Sequence, residues 1–282
     1  MIVWIASYPK SGNTWIRSLL SAYLYSKDGI FNFDLLKNIQ QFPEKKYYDF
    51  FIKNPEDLKD LKKVSSYWTA AQDRINLFNN KTFFLKTHNA LCKLENNYFT
   101  NKSNTKAVIY VVRDPRNVIT SLSHHYNFNL EEAFDFYTDK TMTLVNKKGK
   151  ESVVTVLGDW SEHYQSWKKI NFAPILIVKY EDLIADTNKS FLLILDFLKK
   201  IMSIEIDEKK ILNTIESCNF DKLKKSEEKE GFIEAVDSKN KDKKLSFFNL
   251  GKKNNWKNLL DPKIEKKIQN IFGKTMKELN YI

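Results

Sequence analysis

Residues Ile2 to Trp15 read IVWIASYPKSGNTW, an apolar run followed by a short polar loop and the start of a helical pattern. The run Ile2 to Ala6 is typical of a buried strand, and apolar residues at spacings of three and four predict a helix over Trp15 to Tyr25. Between a strand and a helix N-terminus, backbone N–H groups and the helix dipole favour negative charge. The stretch therefore predicts an α/β fold that begins with an anion-binding loop.

The order of residues within this loop differs from that of a P-loop. A P-loop places lysine directly after its last glycine and follows it with serine or threonine, whereas Lys10 precedes Gly12, the one glycine of this loop. Pro9 stiffens the entry, Gly12 lets the backbone approach a ligand closely, and Lys10 adds a positive charge. The loop is predicted to bind an anion, and an ordinary turn is the alternative for this motif alone.

A second strand, loop and helix follow later in the chain. Residues Ala107 to Val112 predict another buried strand, and the sequence RDPRN comes directly after it at residues 113–117. Arg113 can bind a phosphate through two parallel hydrogen bonds. Eight residues later, Ser121 lies about two turns into the predicted helix with a hydroxyl available. Two anion loops at neighbouring strand ends predict a ligand with two separated anionic groups.

Asp114 raises the alternative of a nucleotide-dependent kinase of the P-loop class, in which an aspartate after a strand holds magnesium. Such an enzyme also needs the P-loop sequence glycine, lysine and then serine or threonine, and the first loop has no such triplet, because Pro9 precedes Lys10. Asp114 is more simply a helix-start residue next to Pro115, which the first helical turn tolerates. No metal site is predicted.

A third predicted strand runs from Thr82 to Lys86 and is followed two residues later by His88. In an open parallel sheet, ligands bind at the carboxyl ends of the strands. The side chains of Lys86 and His88 are therefore expected in the same crevice as Lys10 and Arg113. With an ordinary pKa of about 6.5, a histidine there can take a proton from a hydroxyl. The remaining histidines lie in helical patterns and have no such support: His124, His125 and His163.

Strand and helix patterns alternate along the chain, and Ile175 to Val178 is a fourth strand of the same kind. Strands separated by helices predict a central parallel sheet flanked by helices, hence the α/β class, with residues 1–282 forming a single domain. The predicted helices are Trp15 to Tyr25, Tyr67 to Phe78, Asn117 to Tyr126, Asp159 to Ile170, Asn188 to Lys200, Glu208 to Cys218 and Lys263 to Leu279.

The composition indicates an affinity for anions. Lysine and arginine number 46 against 35 aspartate and glutamate residues, and the net charge of +11 favours nucleotides, nucleic acid or acidic lipid. A non-enzymatic polyanion- or nucleic-acid-binding protein is thus a second alternative, although the chain lacks the aromatic and basic interleaving of a strand-binding face, and no specific nucleic acid is expected. Two cysteines and no apolar run of membrane-spanning length predict a soluble, cytoplasmic protein without a membrane span.

Two charged segments interrupt the pattern. Residues 145–152 contain several lysines and predict an exposed loop, while residues 222–250 begin with a long run of lysine, glutamate, aspartate and serine. Both are candidates for mobile loops or lids. The second is better placed for a lid, because Phe247 and Phe248 follow its charged part directly.

Taken together, these motifs resemble the soluble, cytosolic-type sulfotransferases that use 3′-phosphoadenosine-5′-phosphosulfate (PAPS). The resemblance keeps the family's order and spacing and spans nearly the whole chain. The matching sequences are YPKSGNTW at residues 8–15, KTH at 86–88, RDPRN at 113–117 with Ser121, YEDL at 180–183, and Gly251 followed by WKN at 256–258.

The resemblance implies a P-loop-kinase-like topology and a binding site for PAPS. Trp15 and Phe220 would sandwich the adenine, with Tyr180 hydrogen-bonding nearby. Arg113 and Ser121 would hold the 3′-phosphate. The C-terminal part of the same site would include Gly251 and Lys252. The residues implied for the 5′-phosphosulfate are Lys10, Ser11, Gly12, Asn13 and Thr14.

The resemblance also implies the chemistry. His88 would be the general base on the acceptor, while Lys10 and Lys86 would stabilise charge on the bridging and transferring oxygens. The acceptor would be a hydroxyl, or an amine, of a small molecule or glycan, and the nucleotide product would be 3′-phosphoadenosine-5′-phosphate (PAP). Because a sulfuryl group bears less charge than a phosphoryl group, lysines can serve where phosphoryl-transfer enzymes use magnesium, and no metal is expected.

The C-terminal segment departs from the family pattern. The family usually has Arg-Lys-Gly, two residues and then Gly-Asp-Trp-Lys, whereas residues 249–257 read NLGKKNNWK. Asn249 and Leu250 cannot bind the 3′-phosphate as charges, so Lys252 or Lys253 is the candidate replacement. The family's C-terminal dimerisation pattern is not recognisable, which leaves the oligomeric state open.

Overall fold

The computed structural model describes residues 1–77, 82–145, 152–237 and 244–282. Its contacts divide the chain into two compact units, and the prediction of a single domain over residues 1–282 stays a prediction. The first unit comprises Met1–Tyr8, Ile39–Val112 and Asp139–Val178; the second comprises Pro9–Asn38, Arg113–Thr138 and Lys179–Ile282.

Strands and helices alternate along the chain. The strands are β1 (Ile2–Ser7), β2 (Gln40–Gln41), β3 (Phe83–Thr87), β4 (Lys93–Leu94), β5 (Asn97–Tyr98), β6 (Thr105–Val112), β7 (Thr143–Leu144), β8 (Thr155–Val156), β9 (Ile175–Lys179), β10 (Val236–Asp237) and β11 (Lys244–Leu245). The helices are α1 (Asn13–Tyr25), α2 (Leu61–Ser66), α3 (Trp68–Leu77), α4 (Pro115–Tyr126), α5 (Leu130–Thr138), α6 (Trp160–Lys168), α7 (Tyr180–Ala185), α8 (Thr187–Lys199), α9 (Glu208–Ser217), α10 (Phe220–Glu230), α11 (Trp256–Leu259) and α12 (Pro262–Glu278). Short 3-10 helices cover Phe33–Asn38, Lys45–Tyr47, Pro55–Lys59 and Gly251–Lys253.

The first unit contains the central five-stranded sheet, in the order β2-β3-β1-β6-β9. β1 pairs in parallel with β3 on one side and with β6 on the other, and β2 pairs in parallel with β3. Because these strands run in the same direction, their carboxyl ends lie at one edge of the sheet. The predicted α/β class, parallel sheet and P-loop-kinase-like topology are confirmed.

β1 is buried along its whole length because it lies between two other strands. Trp4 at its centre donates from Nε1 to Thr105 Oγ1 at 3.1 Å. The Trp4 ring also contacts Phe42, Phe99 and Trp167, at centroid distances of 5.7, 5.5 and 6.5 Å. A strand covered on both faces needs a continuous apolar run, and the sequence of β1 supplies one.

The four predicted strands and seven predicted helices are present, with ends displaced by at most two residues; Phe78 lies outside the described residues. None of the helices that the structure describes has the length and apolar character needed to span a lipid bilayer. The sequence patterns did not predict five of the helices: α2, α5, α7, α10 and α11.

The prediction of one loop over residues 222–250 is wrong for its first part. Residues 222–230 belong to α10, whose N-cap Asn219 accepts a hydrogen bond from the Lys222 N–H at 2.9 Å. Leu223 and Glu227, one turn apart, are buried, so the charged run is the solvent face of an amphipathic helix. Residues 238–243, and 146–151 of the other predicted loop, lie outside the described residues.

Candidate active site

The first loop, in the second unit, has the conformation of an anion-binding turn. Lys10 has a φ of 64° and Gly12 a φ of 103°, and Gly12 is the N-cap of α1. The Gly12 carbonyl accepts from the N–H groups of Trp15 and Ile16 at 3.1 and 3.3 Å. The N–H groups that precede them have no carbonyl of α1 to donate to, and the helix dipole adds positive character at this end. The predicted loop between a strand and a helix N-terminus is thus confirmed, and its binding of an anion stays a prediction.

Gly12 lies against the ring of Tyr180, the first residue of α7. A Cβ atom added to Gly12 would be 2.5 Å from Tyr180 Cδ2, closer than real Cβ contacts. Glycine is therefore required here twice, by the positive φ and by the ring. The same ring meets Trp15 edge to face, at a centroid distance of 5.8 Å.

Arg113 joins the two predicted anion loops. Its Nη1 donates to the Lys10 carbonyl at 3.1 Å, and its guanidinium carbon lies 4.2 Å from the centre of the Tyr180 ring. Within the part of the chain that the structure describes, Arg113 Nε and Ser11 Oγ are both buried and have no hydrogen-bond partner. Buried polar groups are rarely left without one, so these two donors fit a ligand that offers an anionic group to each of them.

The neighbouring Asp114 and Arg116 form a buried ion pair. Asp114 caps α4 by accepting from the Arg116 N–H at 2.9 Å, and its carboxylate accepts from Arg116 Nε and Nη2 at 3.0 and 2.7 Å. Arg116 also donates to the Tyr281 carbonyl and stacks on Trp256. The prediction that Asp114 is a helix-start residue is confirmed, and its pairing leaves it poorly suited to hold magnesium.

The C-terminal segment binds to α4 through polar side chains. Buried Asn254 accepts from Thr120 Oγ1 at 2.7 Å and donates from Nδ2 to the Asn117 carbonyl at 2.9 Å, while the Trp256 N–H donates to Asn117 Oδ1. Ser121, predicted to bind the 3′-phosphate, is the next residue along α4 and is half-buried. The segment that departs from the family pattern is therefore held beside the helix that carries Ser121.

Aromatic residues predicted to sandwich the adenine belong to one apolar cluster. Trp15 and Phe220 both pack against buried residues of this cluster, and Trp15 Nε1 donates to the Cys218 carbonyl at 2.9 Å. Gly251, with a φ of 52°, lies so close to Phe220 that a Cβ atom would be 2.7 Å from the ring. Lys252, next in the chain, is exposed. The buried residues of the cluster are Leu36, Leu223, Phe232, Ala235 and Phe248.

Two carboxylates that the sequence analysis did not single out contact this group. Glu234 accepts from Thr14 Oγ1 at 3.0 Å and from Arg17 Nη1 at 2.5 Å. The Thr14 hydroxyl can donate to a phosphosulfate oxygen only when it no longer donates to Glu234. Nothing in the local sequence signals the contact, because Glu234 lies within a charged run far along the chain.

The second carboxylate, Glu227, holds the segment that covers Lys10. It is buried and accepts from the backbone N–H groups of Phe247 and Phe248, at 2.6 and 2.9 Å, and from Ser246 Oγ at 3.0 Å. Phe247 in turn lies under the ammonium group of Lys10, with Nζ 3.9 Å from the ring centre. The ring attracts a cation without neutralising it.

Lys86 and His88 lie in the first unit, at and just after the end of β3. Lys86 is buried. His88 Nδ1 lies 2.8 Å from the carbonyl oxygen of Ser7, the last residue of β1, and 3.3 Å from Ser7 Oγ. Because a carbonyl oxygen only accepts, Nδ1 of neutral His88 carries the hydrogen and Nε2 carries the lone pair. This tautomer suits a base that acts through Nε2.

His163, which the sequence analysis set aside, contacts His88. Its Nε2 lies 3.0 Å from the His88 carbonyl oxygen, and its Nδ1 lies 2.8 Å from the hydroxyl of Tyr110. Burial lowers the pKa of His163 to about 4, so the side chain is neutral at pH 7. Burial also raises the pKa of the Tyr110 hydroxyl well above its ordinary value. Spacing alone could not reveal this contact, because it depends on where α6 packs.

Comparison with known proteins agrees with these features. A family model described as the sulfotransferase domain matches residues 2–280. The chain is a member of the sulfotransferase family. Sulfotransferase 1B1 of the dog, Canis lupus familiaris, is 27% identical to it over 278 residues, covering 96% of this chain and 82% of the relative. Flavonol 3-sulfotransferase of Flaveria bidentis is 25% identical, covering 97% and 81%.

Solved structures show the same sulfotransferase fold. Retinol dehydratase in complex with androsterone and PAP superimposes with a TM-score of 0.60 at 22% identity, covering 98% of this chain and 80% of that one. Mouse sulfotransferase SULT7A1 complexed with PAP gives a TM-score of 0.55 at 19% identity, covering 98% and 84%.

Replacing Gly12 with alanine is expected to destabilise this sulfotransferase by about 2–3 kcal/mol, because the new Cβ meets Tyr180 and the φ is unfavourable. Guanidinium unfolding followed by tryptophan fluorescence measures the effect. Gly273→Ala is the matched control: a Cβ there has open space inside α12, so it should stabilise the protein by about 1 kcal/mol. Equal stability of Gly12→Ala and the native protein would contradict the close contact.

His163 makes folding sensitive to acid. Its pKa falls from 6.5 in the unfolded chain to about 4 in the fold, so the unfolded state binds the extra proton and stability is lost as the pH falls from 6.5 towards 4. Relative to His163→Gln, which does not titrate, the native protein should lose about 3 kcal/mol over this range, measured by urea unfolding. Trp4→Phe keeps His163, so the difference in unfolding free energy between this variant and the native protein should stay constant over the same pH range. A constant difference for His163→Gln would refute a neutral His163.

Proposed function

We propose that this sulfotransferase transfers the sulfuryl group of PAPS to a hydroxyl or amine of a small-molecule or glycan acceptor, without a metal ion. Family membership over residues 2–280 supports sulfuryl transfer. The observation that carries the choice of PAPS is the pair of buried donors, Arg113 Nε and Ser11 Oγ, on two adjoining anion loops. Structural neighbours complexed with PAP support the same co-substrate.

The nucleotide is bound by the residues assigned from the sequence. The loop N–H groups with Ser11 and Thr14 hold the 5′-phosphosulfate, and Arg113 with Ser121 holds the 3′-phosphate. The preformed turn at Gly12 supports the first assignment, and the stacking of Arg113 on Tyr180 fixes the guanidinium for the second. Trp15 and Phe220 bind the adenine. Since PAPS is strongly anionic, the Glu234 carboxylate leaves Thr14 when it binds.

In the transfer step, His88 Nε2 takes the proton of the acceptor hydroxyl as the acceptor oxygen bonds to sulfur. The bond between sulfur and the bridging oxygen breaks, and its electron pair leaves on the 5′-phosphate of PAP. Lys10 stabilises that leaving oxygen and Lys86 stabilises the transferring oxygens. The tautomer set by the Ser7 carbonyl supports the base, and the Asp114–Arg116 pair supports chemistry through lysines rather than a magnesium-bound carboxylate.

The acceptor class is supported by the relatives' names. One relative is named a flavonol 3-sulfotransferase, and another, from the rabbit, is named an amine sulfotransferase. Structural neighbours have been solved with retinol and androsterone. Both acceptor chemistries are therefore included, and a panel of phenols, alcohols, amines and sugars is the appropriate screen.

Labelled PAPS and this acceptor panel test the function. With the best acceptor, His88→Ala should lower kcat about 10²- to 10⁴-fold through loss of the general base, and Lys10→Ala at least about 100-fold. Lys62→Ala, at an exposed lysine on α2, should keep full activity. Full activity of His88→Ala or Lys10→Ala would contradict the catalytic roles assigned to these residues.

Two other outcomes would favour the alternative functions. Phosphoryl transfer from magnesium ATP without use of PAPS would favour the kinase. Salt-sensitive nucleic-acid binding that PAP does not reduce would favour the polyanion binder.

Lys252 and Lys253 are proposed to replace the missing basic pair of the family. Both lysines belong to the 3-10 helix that begins at Gly251. The next residue, Asn254, accepts a hydrogen bond from Thr120 and so holds the segment on α4. The double change Lys252→Ala/Lys253→Ala should weaken PAP binding roughly fivefold by calorimetry, since two charges near a phosphate are removed. Lys199→Ala/Lys200→Ala at the end of α8 removes the same charge and should have no effect. Equal affinity of both double variants would contradict the replacement.

A further inference from the structure

Helix α6 holds the chain segment that begins with His88. His163 Nε2 donates to the carbonyl oxygen of His88 at 3.0 Å, and Trp167 Nε1, one helical turn later, donates to the carbonyl oxygen of Asn89 at 3.0 Å. Ser166 Oγ accepts from the N–H of Leu91 at 3.0 Å. Three side chains of one helix thus fix three consecutive parts of the backbone that carries His88.

The hydrogens of the two histidines are set by what each nitrogen faces. A carbonyl oxygen only accepts, so His163 carries its hydrogen on Nε2, and its Nδ1 accepts from the Tyr110 hydroxyl. His88 carries its hydrogen on Nδ1, which donates to the Ser7 carbonyl. The two imidazoles therefore have opposite tautomers, joined through the His88 carbonyl group.

The imidazole of His88 is oriented from two sides. The Ser7 carbonyl, on β1, binds its ring, while His163, on α6, binds its main-chain carbonyl. Tyr110, on β6, fixes the tautomer of His163 from behind. The N–H of the same peptide group, that of Asn89, donates to Thr87 Oγ1 at 3.0 Å. If His163 were lost, this contact would remain, and the group could tilt about it and turn the ring from the line to Ser7. Small rotations matter, because a displacement of about 1 Å at a reacting group can cost about 100-fold in rate.

We propose that His163 is a positioning residue for His88, which it holds in one orientation and one tautomer through the hydrogen bond from Nε2 to the His88 carbonyl. The inference rests on the proposed role of His88 as general base. A histidine that only fills the core would stabilise the fold without affecting the tautomer of His88.

The unaltered protein provides the first test. Two-dimensional 15N–1H spectra of histidine-labelled protein at pH 7 distinguish the tautomers, with signals assigned by single substitutions. His88 is expected as the Nδ1–H form and His163 as the Nε2–H form. A His163 that carries its hydrogen on Nδ1 cannot donate to the His88 carbonyl, and this result would overturn the proposal whether or not the enzyme is active.

Two polar substitutions separate the nitrogens of His163. The amide of glutamine in His163→Gln reaches the place of Nε2 and can still donate to the His88 carbonyl, whereas that of asparagine in His163→Asn reaches only the place of Nδ1. His163→Asn should lower kcat about 10- to 100-fold with KM for PAPS unchanged, and should give a mixed His88 tautomer. His163→Gln should stay within about threefold of the native kcat and keep the tautomer.

Tyr23→Phe is the control for stability alone, since it removes a hydrogen bond from the buried Tyr23 hydroxyl to the Glu205 carbonyl, a contact that involves neither α6 nor residues 88–91. It should lower the melting temperature without changing the His88 signals or kcat. If His163→Asn and His163→Gln lose kcat equally, or if His163→Asn keeps the native tautomer and kcat, the positioning role is refuted while the proposed function stands. No transfer from PAPS by the native protein would refute the proposed function, and the tautomer spectra would still decide the positioning.

Discussion

The parallel pairing of β1 on both of its sides is the constraint on which the other features depend. A central strand with parallel neighbours is buried on both faces, which requires the unbroken apolar run of Ile2 to Ala6. It also places the carboxyl ends of β1, β3 and β6 at one edge of the sheet. Each of these strands is followed in the chain by residues to which we assign roles in the proposed function.

Two buried arginines three residues apart differ in how the fold uses their hydrogen-bond donors. Arg116 is surrounded by acceptors and an aromatic ring, and its hydrogen-bonding capacity is used inside the protein. Arg113 is equally buried but keeps Nε unused among the described residues. Hydrogen bonds to charged groups contribute most where the alternative is an unsatisfied buried donor. The fold therefore uses Arg116 for stability and leaves Arg113 with a buried donor that suits its proposed role in binding.

The fold and the family could be predicted from the sequence, because each follows from local patterns, and the site residues were assigned from the same patterns. The apolar runs predicted β1, β3, β6 and β9, and the order of Lys10 and Gly12 set this loop apart from a P-loop. Helix α10 was missed since its buried positions, Leu223 and Glu227, are few among charged residues. A local sequence pattern predicts a helix reliably only when the buried face of that helix contains many apolar residues.

The contacts that the sequence could not reveal join residues far apart in the chain. Glu234 binds Thr14, Glu227 binds the backbone of Phe247 and Phe248, and His163 binds the His88 carbonyl. A glutamate in a charged run, or a histidine on a helix, looks the same in sequence whether it faces solvent or a distant carbonyl. Their partners are set only when the tertiary fold forms, which single-sequence patterns do not describe.

The close approach of Gly12 to Tyr180 has a consequence for how this chain can change over evolutionary time. A side chain at position 12 needs a smaller residue at position 180, yet shrinking Tyr180 removes the surface on which Arg113 stacks. No single substitution that adds a side chain at position 12 or removes the ring at position 180 is therefore neutral. The three positions, separated by more than half of the chain, are expected to vary together or not at all among descendants of this sequence.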